Sequence, residues 1–389
     1  MNEMVCCVLP AGHRLGEKPR MQNGFLLKSY RQSAKMMSEY SKRRTGSEEI
    51  RMKKVWIAVI CVICVIALVA GAGAAFVYSI LHRTYTEDKP VEKPDIVSAV
   101  PKEDETLELV DGTPDDIGED YDVDLNGEDV EQAPIYEVVP IDENVINILF
   151  IGQDTGLEWN QSTRSDSCIL VSYNREKNSV KMVSIMRDTW THIEGHGWNR
   201  INAAYSFGGA GLLINTLNDM FHLDIQNYVI TGFDEFKDCV DMLGGLDMEL
   251  TEKEAAYIDS SLKAGMTHLT GEMALIHARN RRTGDGDFGR VRRQRDIILA
   301  AYNKLRAEGS ASTYLNFINF ALGNIRTNMD TGEIITLGME VLQADSLDIA
   351  YARIPFDGTW SYATKNGKAV LAIDYDENEE KLKEFLYGE

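Results

Sequence analysis

Between Val55 and Leu81 the chain carries no charged side chain for twenty-seven residues, VWIAVICVICVIALVAGAGAAFVYSIL. A run like this cannot lie on the outside of a water-soluble fold, so it separates whatever precedes it from whatever follows. A helix rises about 1.5 Å per residue, so this run can cross a hydrocarbon core of roughly 30 Å with some tilt. It is too long, and too far from Met1, to be the apolar region of a cleaved signal peptide. The sequence therefore predicts one uncleaved transmembrane helix. Trp56 and Tyr78 near its ends suit the two interfaces. Lys42, Arg43, Arg44, Arg51, Lys53 and Lys54 stand just before it. The positive-inside rule then places the N-terminus in the cytoplasm and everything after Leu81 outside a single-pass cell-membrane protein.

Charge divides the rest. The whole chain has a net charge of −21. Residues 1–54 carry twelve Lys and Arg against five Asp and Glu, and read as a largely disordered basic cytoplasmic tail. Residues 82–140 carry four against nineteen, with repeated prolines, and read as an extended, self-repelling acidic linker. Within it DVDLNGEDVE lacks the full ligand pattern of a calcium loop. A folded domain is expected over 141–389. Its acidity argues against a nucleic-acid partner, and residues 1–54 contain no DNA-binding motif. Cys168 and Cys239 read as small buried hydrophobes, and no Cys/His spacing suggests zinc.

Within 141–389, NVINILFIGQD, Ser167–Tyr173, Ser179–Met186, Tyr228–Thr231 and Ser346–Pro355 read as strands. Helices are expected over Ala210–Phe221, Phe233–Leu243, Thr270 to about Ala278, about Arg290 to Ala307, Thr313–Ile325 and Glu377–Leu386. Strands alternating with helices predict the α/β class, as a layered αβα-type domain with a central mixed sheet.

Chemistry concentrates at two places. Asp154 follows the first strand, Arg164-Ser165-Asp166 precedes the second, and Arg187-Asp188 follows the third. If the second and third strands form a hairpin, these groups reach one sheet edge. The other place is HARNRRTGDGDFGRVRRQRD, residues 277–296, with seven arginines broken by Gly284, Gly286 and Gly289. Such closely spaced guanidiniums repel unless anions sit among them, and their planar forks suit phosphate. Two carboxylates beside arginines suggest a Mg²⁺ ion completed by phosphate oxygens; a plain Asp/Arg ion-pair network is the structural alternative. Arg279 and Arg281 can share an anion only if the chain there is extended. Arg290 is expected to open the next helix with Gln294 on the same face, and Arg282 to face away. Neighbouring apolar segments can be ordinary core or the lining of a lipid channel.

In order, NILFIGQDTG, RSDSCILVS, VSIMRDTW, RINAAYSFGG, DMLGGLDMEL, LTGEMALIHARNRR and GDFGRVRRQRD resemble the successive motifs of the LytR–CpsA–Psr family. Met186 departs from the usual proline and His277 from a common aromatic. The resemblance implies a cell-envelope phosphotransferase. Its donor would be an anionic glycopolymer, such as teichoic acid or capsule, on a polyprenyl pyrophosphate carrier. Its acceptor would be a peptidoglycan sugar hydroxyl, and membrane lipid its surroundings. It further implies that Asp154 and Asp166 hold Mg²⁺ (or Mn²⁺), and that Arg164, Arg187, Arg279, Arg281 and Arg290 bind the pyrophosphate with Gln294 beside them. Asp287 would orient an arginine or accept a proton. A hydrolase acting on the same phosphoanhydride, a non-catalytic lipid-carrier binding protein and a transcription attenuator stay open as alternatives.

Overall fold

The computed structural model describes residues 131–389 with short breaks, parts of 89–110, and Arg31, Gln32, Lys35 and Met36. The apolar run 55–81, nearly all of the basic tail and the calcium-like stretch lie outside the described residues. Among the described residues, no helix is long and apolar enough to cross a membrane.

Six strands form the main sheet: β1 (Val145–Gln153), β2 (Ser165–Asn174), β3 (Ser179–Ile185), β4 (Asn227–Thr231), β5 (Arg326–Thr327) and β6 (Asp348–Ile354). Their order is β5-β4-β1-β2-β3-β6. β1 pairs antiparallel with β2, and β2 with β3, whereas β4 lies parallel to β1 and β6 parallel to β3. The sheet is therefore mixed, as expected. Asn178 closes the β2–β3 turn at φ 46°, a left-handed conformation that Asn tolerates well. Side chains alternate along β1: Val145, Leu149 and Ile151 enter one core, and Ile146, Ile148 and Phe150 pack on the other side.

Among described residues 131–389 eight helices pack on this sheet or beside it: α1 (Ile201–Phe221), α2 (Phe233–Met242), α3 (Glu252–Ile258), α4 (Gly271–Arg279), α5 (Gly286–Glu308), α6 (Ala311–Leu322), α7 (Thr331–Gln343) and α8 (Tyr375–Tyr387). Leu213 and Leu217 of α1 and Leu382 and Leu386 of α8 share a core with Leu149, Ile151 and Leu170. On the opposite face Ile298 of α5 and Leu337 of α7 meet Ile169 and Met182. A further cluster joins α2, α4, α5 and α6 to a hairpin, Leu246–Leu250 with Gly265–Leu269.

Three differences from the sequence reading have physical causes. Helix α1 begins at Ile201, not Ala210, and its two segments meet at Gly208 and Gly209, where the backbone is not helical. All but one of its 21 residues are buried, so no polar face marks its period. Helix α5 begins at Gly286, so Arg290 lies in its second turn rather than at its start. The acidic stretch expected to be linker through Pro140 docks on the domain at several described places. Val91 N donates to Ile135 O at 2.8 Å, Ile135 is buried, and Glu108–Leu109 pairs with the strand Trp360–Lys365. Trp190 Nε1 donates to Asp104 Oδ2 at 3.0 Å. Average composition does not register a few apolar residues that find a partner surface.

This docking is tight at Gly211, where an added Cβ would lie 1.8 Å from Ala133 O. Gly211→Ala is expected to destabilise the domain by about 1–3 kcal/mol, the range for overpacking, measured by urea unfolding. An unchanged midpoint would mean that residues 131–135 do not dock on α1. Cys168 and Cys239 are free thiols, pushed up to about 12 and about 11, both chiefly by burial.

Candidate functional site

The hairpin geometry of β1, β2 and β3 carries three sequence positions to one sheet edge. β1 ends at Gln153, opposite Ser165 at the start of β2, and β3 ends at Ile185 beside them. Asp154 and Arg187 follow the ends of β1 and β3, Arg164 immediately precedes β2, and Asp166 is its second residue. Helix α4 ends at Arg279, and Asn280 turns to an extended backbone at φ −67°, ψ 122°. The expected break between Arg279 and Arg281 is therefore present. Gly284 and Gly286, at φ 134° and 54°, then turn the chain into α5.

Asp287, in the first turn of α5, is the hub of the cluster. Arg290 Nη2 donates to its Oδ2 at 2.8 Å, Arg281 Nε lies 3.3 Å from its Oδ1, and Arg187 Nε lies 3.7 Å from its Oδ2. Asp166 Oδ1 stands 3.7 Å from Arg187 Nη1 and 3.9 Å from Arg281 Nη2. The two carboxylates thus hold three arginines from two sides. Among the described residues the side-chain hydrogen bond and ion pairs of Asp287 all go to arginines, which suits an orienting role. Arg187 and Arg290 are buried, whereas Arg279 and Asp154 are exposed. Burial, helped by the charges of Arg187 and Arg281 and opposed by Asp287, pushes Arg290 down to about 10, still cationic at neutral pH. Burial, followed by the neighbouring Asp166, holds Asp154 above the ordinary carboxylate range, against a hydrogen bond from Arg164 N at 3.4 Å.

These groups border a cavity of about 660 Å³ between the sheet and helices α2, α4 and α5. All nine residues singled out in the sequence except Asp287 line it. Phe150 and Ile169, opposite each other on β1 and β2, continue its wall inward from the strand ends, joined by Val229, Phe233, Phe236 and Ile297. One end of the cavity is thus ionic and its interior apolar. Arg290 and Gln294 both face it, as their spacing of four predicts, and Arg290 Nε and Gln294 Oε1 have no hydrogen-bond partner among the described residues. Arg279 stacks on Phe233, 4.4 Å from the ring centroid. Arg282 corrects its expectation: it is exposed, yet it also lines the cavity.

Sequence reasoning left Arg200, Glu254 and Arg293 unassigned. Arg200 Nη1 holds Asp188 Oδ1 at 3.1 Å, and Asp188 Oδ2 lies 3.7 Å from Arg187 Nε, so the charge network continues behind the strand end. Only the Arg-Asp pairing at 187–188 hinted at it. As for metal, the described residues include no group of three or more His, Cys, Asp or Glu placed to hold an ion. Asp166 stands close enough to Asp154 to help raise its carboxyl, and such a carboxylate pair fits a hard divalent cation that draws its other oxygens from phosphate and water.

Comparison with known proteins matches this architecture. The teichoic acid transferase TagU of Bacillus mycoides strain KBAB4, named as acting between polyisoprenyl-teichoic acid and peptidoglycan, is 35% identical over 218 residues. That alignment covers 56% of this chain and 68% of the relative. The crystal structure of B. subtilis TagV superimposes with a TM-score of 0.51 at 29% identity, covering 63% of this chain and 98% of TagV. The LytR-CPS2A-psr family protein YwtF (TagT), also from B. subtilis and solved with bound octaprenyl pyrophosphate lipid, shares the fold. Its TM-score is 0.50 at 22% identity, over 64% of this chain and 94% of that one. The model of the LytR_cpsA_psr family matches residues 117–385, and the chain belongs to that family.

Proposed function

We propose that this chain is a membrane-anchored phosphotransferase. It moves an anionic glycopolymer from a polyprenyl pyrophosphate carrier to a peptidoglycan sugar hydroxyl and leaves a phosphodiester. The observation that carries this reading is the cavity itself, with three arginines gathered around Asp166 and Asp287 at the ionic end of an apolar space. A pyrophosphate with a long hydrocarbon tail has that same division. The relatives named above as transferases make teichoic acid the first polymer to test.

The acceptor oxygen attacks the phosphorus that bears the glycopolymer and forms the new P–O bond. The bond from that phosphorus to the bridging oxygen breaks, polyprenyl phosphate leaves with the electron pair, and the hydroxyl proton is released. Negative charge grows on the bridging oxygen. Arg187, Arg281 and Arg290 are held ready for it by Asp287, so little reorganisation is needed as it forms. Arg279 and Arg164 extend the cationic rim, and Gln294 offers a neutral hydrogen bond. Asp154 and Asp166 would hold a Mg²⁺ or Mn²⁺ ion, which would supply charge neutralisation of phosphate oxygens.

The test uses the full chain in nanodiscs with a lipid-pyrophosphate saccharide and peptidoglycan fragments. Mass spectrometry should find a phosphodiester-linked product that requires Mg²⁺ or Mn²⁺. Free saccharide phosphate alone would mean hydrolysis, and full activity in excess chelator would remove the metal. On intact cells lacking an outer barrier, added protease should release the C-terminal domain; digestion of the N-terminal tail with the domain protected would reverse the orientation.

Within this reading, Arg281→Lys keeps the charge but loses the fork and its reach to two carboxylates. Transfer should fall roughly tenfold, about 1.4 kcal/mol of lost transition-state stabilisation. Initial rates at saturating donor measure this, and a rate within twofold of the parent would exclude a bidentate role.

A further inference from the structure

Seven arginines crowd residues 279–295, and the ionic site accounts for only some of them. Arg293 is 2% exposed, yet it is not among the residues lining the apolar cavity. Each of its three guanidinium nitrogens donates a hydrogen bond elsewhere. Nε donates to Glu254 Oε1 at 2.8 Å, Nη1 to the carbonyl of Asn280 at 2.7 Å, and Nη2 to Thr283 Oγ1 at 2.5 Å. Asn280 is itself fully buried; its Nδ2 donates to Thr283 Oγ1 at 3.0 Å and its Oδ1 accepts from Arg282 N at 2.9 Å.

The segment so gripped, Asn280 to Thr283, is the piece of chain that carries Arg281 and Arg282 and follows directly on Arg279. It has left α4 and not yet entered α5, so neither helix fixes it. One guanidinium takes hold of it at both ends. The other side of the grip is fixed in turn. Glu254 is the third residue of α3 and completes a capping box, accepting from Thr251 N at 3.0 Å and from Thr251 Oγ1 at 2.8 Å. Burial works to raise its carboxyl, but the hydrogen bonds from Thr251 and Arg293 outweigh it and hold Glu254 down at about 2. The carboxylate is thus charged throughout the physiological range.

We infer that Arg293, anchored by Glu254, is a positioning residue: it sets where Arg281 meets the pyrophosphate without touching substrate. Its hydrogen bonds to Asn280 and Thr283 connect the small hairpin region around α3 to the reacting end of the cavity. This rests on the transferase reading for its kinetic consequence, though not for its geometry. Arg293→Lys retains the charge but can replace few of the three bonds. A displacement of Arg281 by a fraction of an ångström to one ångström costs on the order of tenfold to a hundredfold in rate.

A double-mutant cycle tests it, using the full chain in nanodiscs well below its melting temperature. In the parent, Arg293→Lys should lower kcat at least about tenfold. In an Arg281→Lys background the same change should lower it less than about twofold, because residues that act through one another are not additive. Equal effects in both backgrounds, or no effect in the parent, would overturn the inference, since a loss of general stability does not depend on Arg281. Should Arg293→Lys fail to fold, Glu254→Gln, which preserves shape and removes one charge, is carried through the same cycle with the same criteria. If the parent shows no transfer at all, it is the transferase reading that fails. The cycle is then read on the Kd for a polyprenyl pyrophosphate by calorimetry, where non-additivity supports the positioning role and additivity overturns it.

Discussion

Asp166→Asn should reduce glycopolymer transfer at least a hundredfold while the domain remains folded by circular dichroism. The residue faces three ways at once. Its Oδ1 stands 3.7 Å from Arg187 and 3.9 Å from Arg281, and its charge raises Asp154 after burial has done so first. Replacing the carboxylate by an amide removes half of the proposed divalent-cation pair and turns an acceptor-only group into one that presents N–H donors to two guanidiniums. Loss of one preorganised charge at a phosphoryl-transfer site costs about 10²–10³ in rate. Asp166 is only partly buried, so the fold should tolerate the change. Activity within threefold of the parent, measured with the same lipid donor, would remove Asp166 from the machinery and the metal with it.

Asp287→Asn should act mainly on stability, and in a ligand-dependent way. Among the described residues Asp287 is the one carboxylate within 4 Å of all three arginines, at 2.8 Å from Arg290, 3.3 Å from Arg281 and 3.7 Å from Arg187. Two of these guanidiniums are buried. Removing the counter-charge takes the carboxylate partner from buried Arg290, while Arg187 keeps Asp166 and Asp188; a buried charge left uncompensated costs about 3–5 kcal/mol. For a domain of this size that corresponds to a fall in Tm of roughly 6–20 °C. Inorganic pyrophosphate brings negative charge back to the same guanidiniums, so it should raise the Tm of the variant by more degrees than that of the parent. An equal rise in both proteins would mean that the anion does not bind among these arginines.

Much of this was legible in the chain itself. The alternation of β1 and the glycines after α2 give their elements away because those signals are local. So do the four-residue spacing of Arg290 and Gln294 and the need for an extended turn between Arg279 and Arg281. Other features depend on residues far apart in sequence. Arg290, Arg292 and Arg293 look alike in a string. What separates them is Asp287, three positions earlier on the same helix, for the first, and Glu254, thirty-nine positions earlier, for the third. The first half of α1 was missed because burial on every side erases its period, and the helix start at Gly286 because glycine is a poor helix former. The docking of Ile135 and Glu108–Leu109 depends on surfaces that exist only after the domain has folded.

The apolar interior of the cavity has a kinetic consequence under the proposed reaction. The hydrocarbon tail belongs to the donor before transfer and to the leaving group afterwards. Phe150, Ile169 and Phe236 therefore hold substrate and product with the same contacts. Affinity that does not change between ground state and transition state lowers KM without speeding the chemical step. It also slows departure of the spent carrier. The ionic end must then supply the whole rate acceleration, and turnover becomes limited by how fast the spent tail can be withdrawn into lipid. Shortening the tail should accordingly raise kcat and KM together, up to the point where chemistry again becomes the slower step.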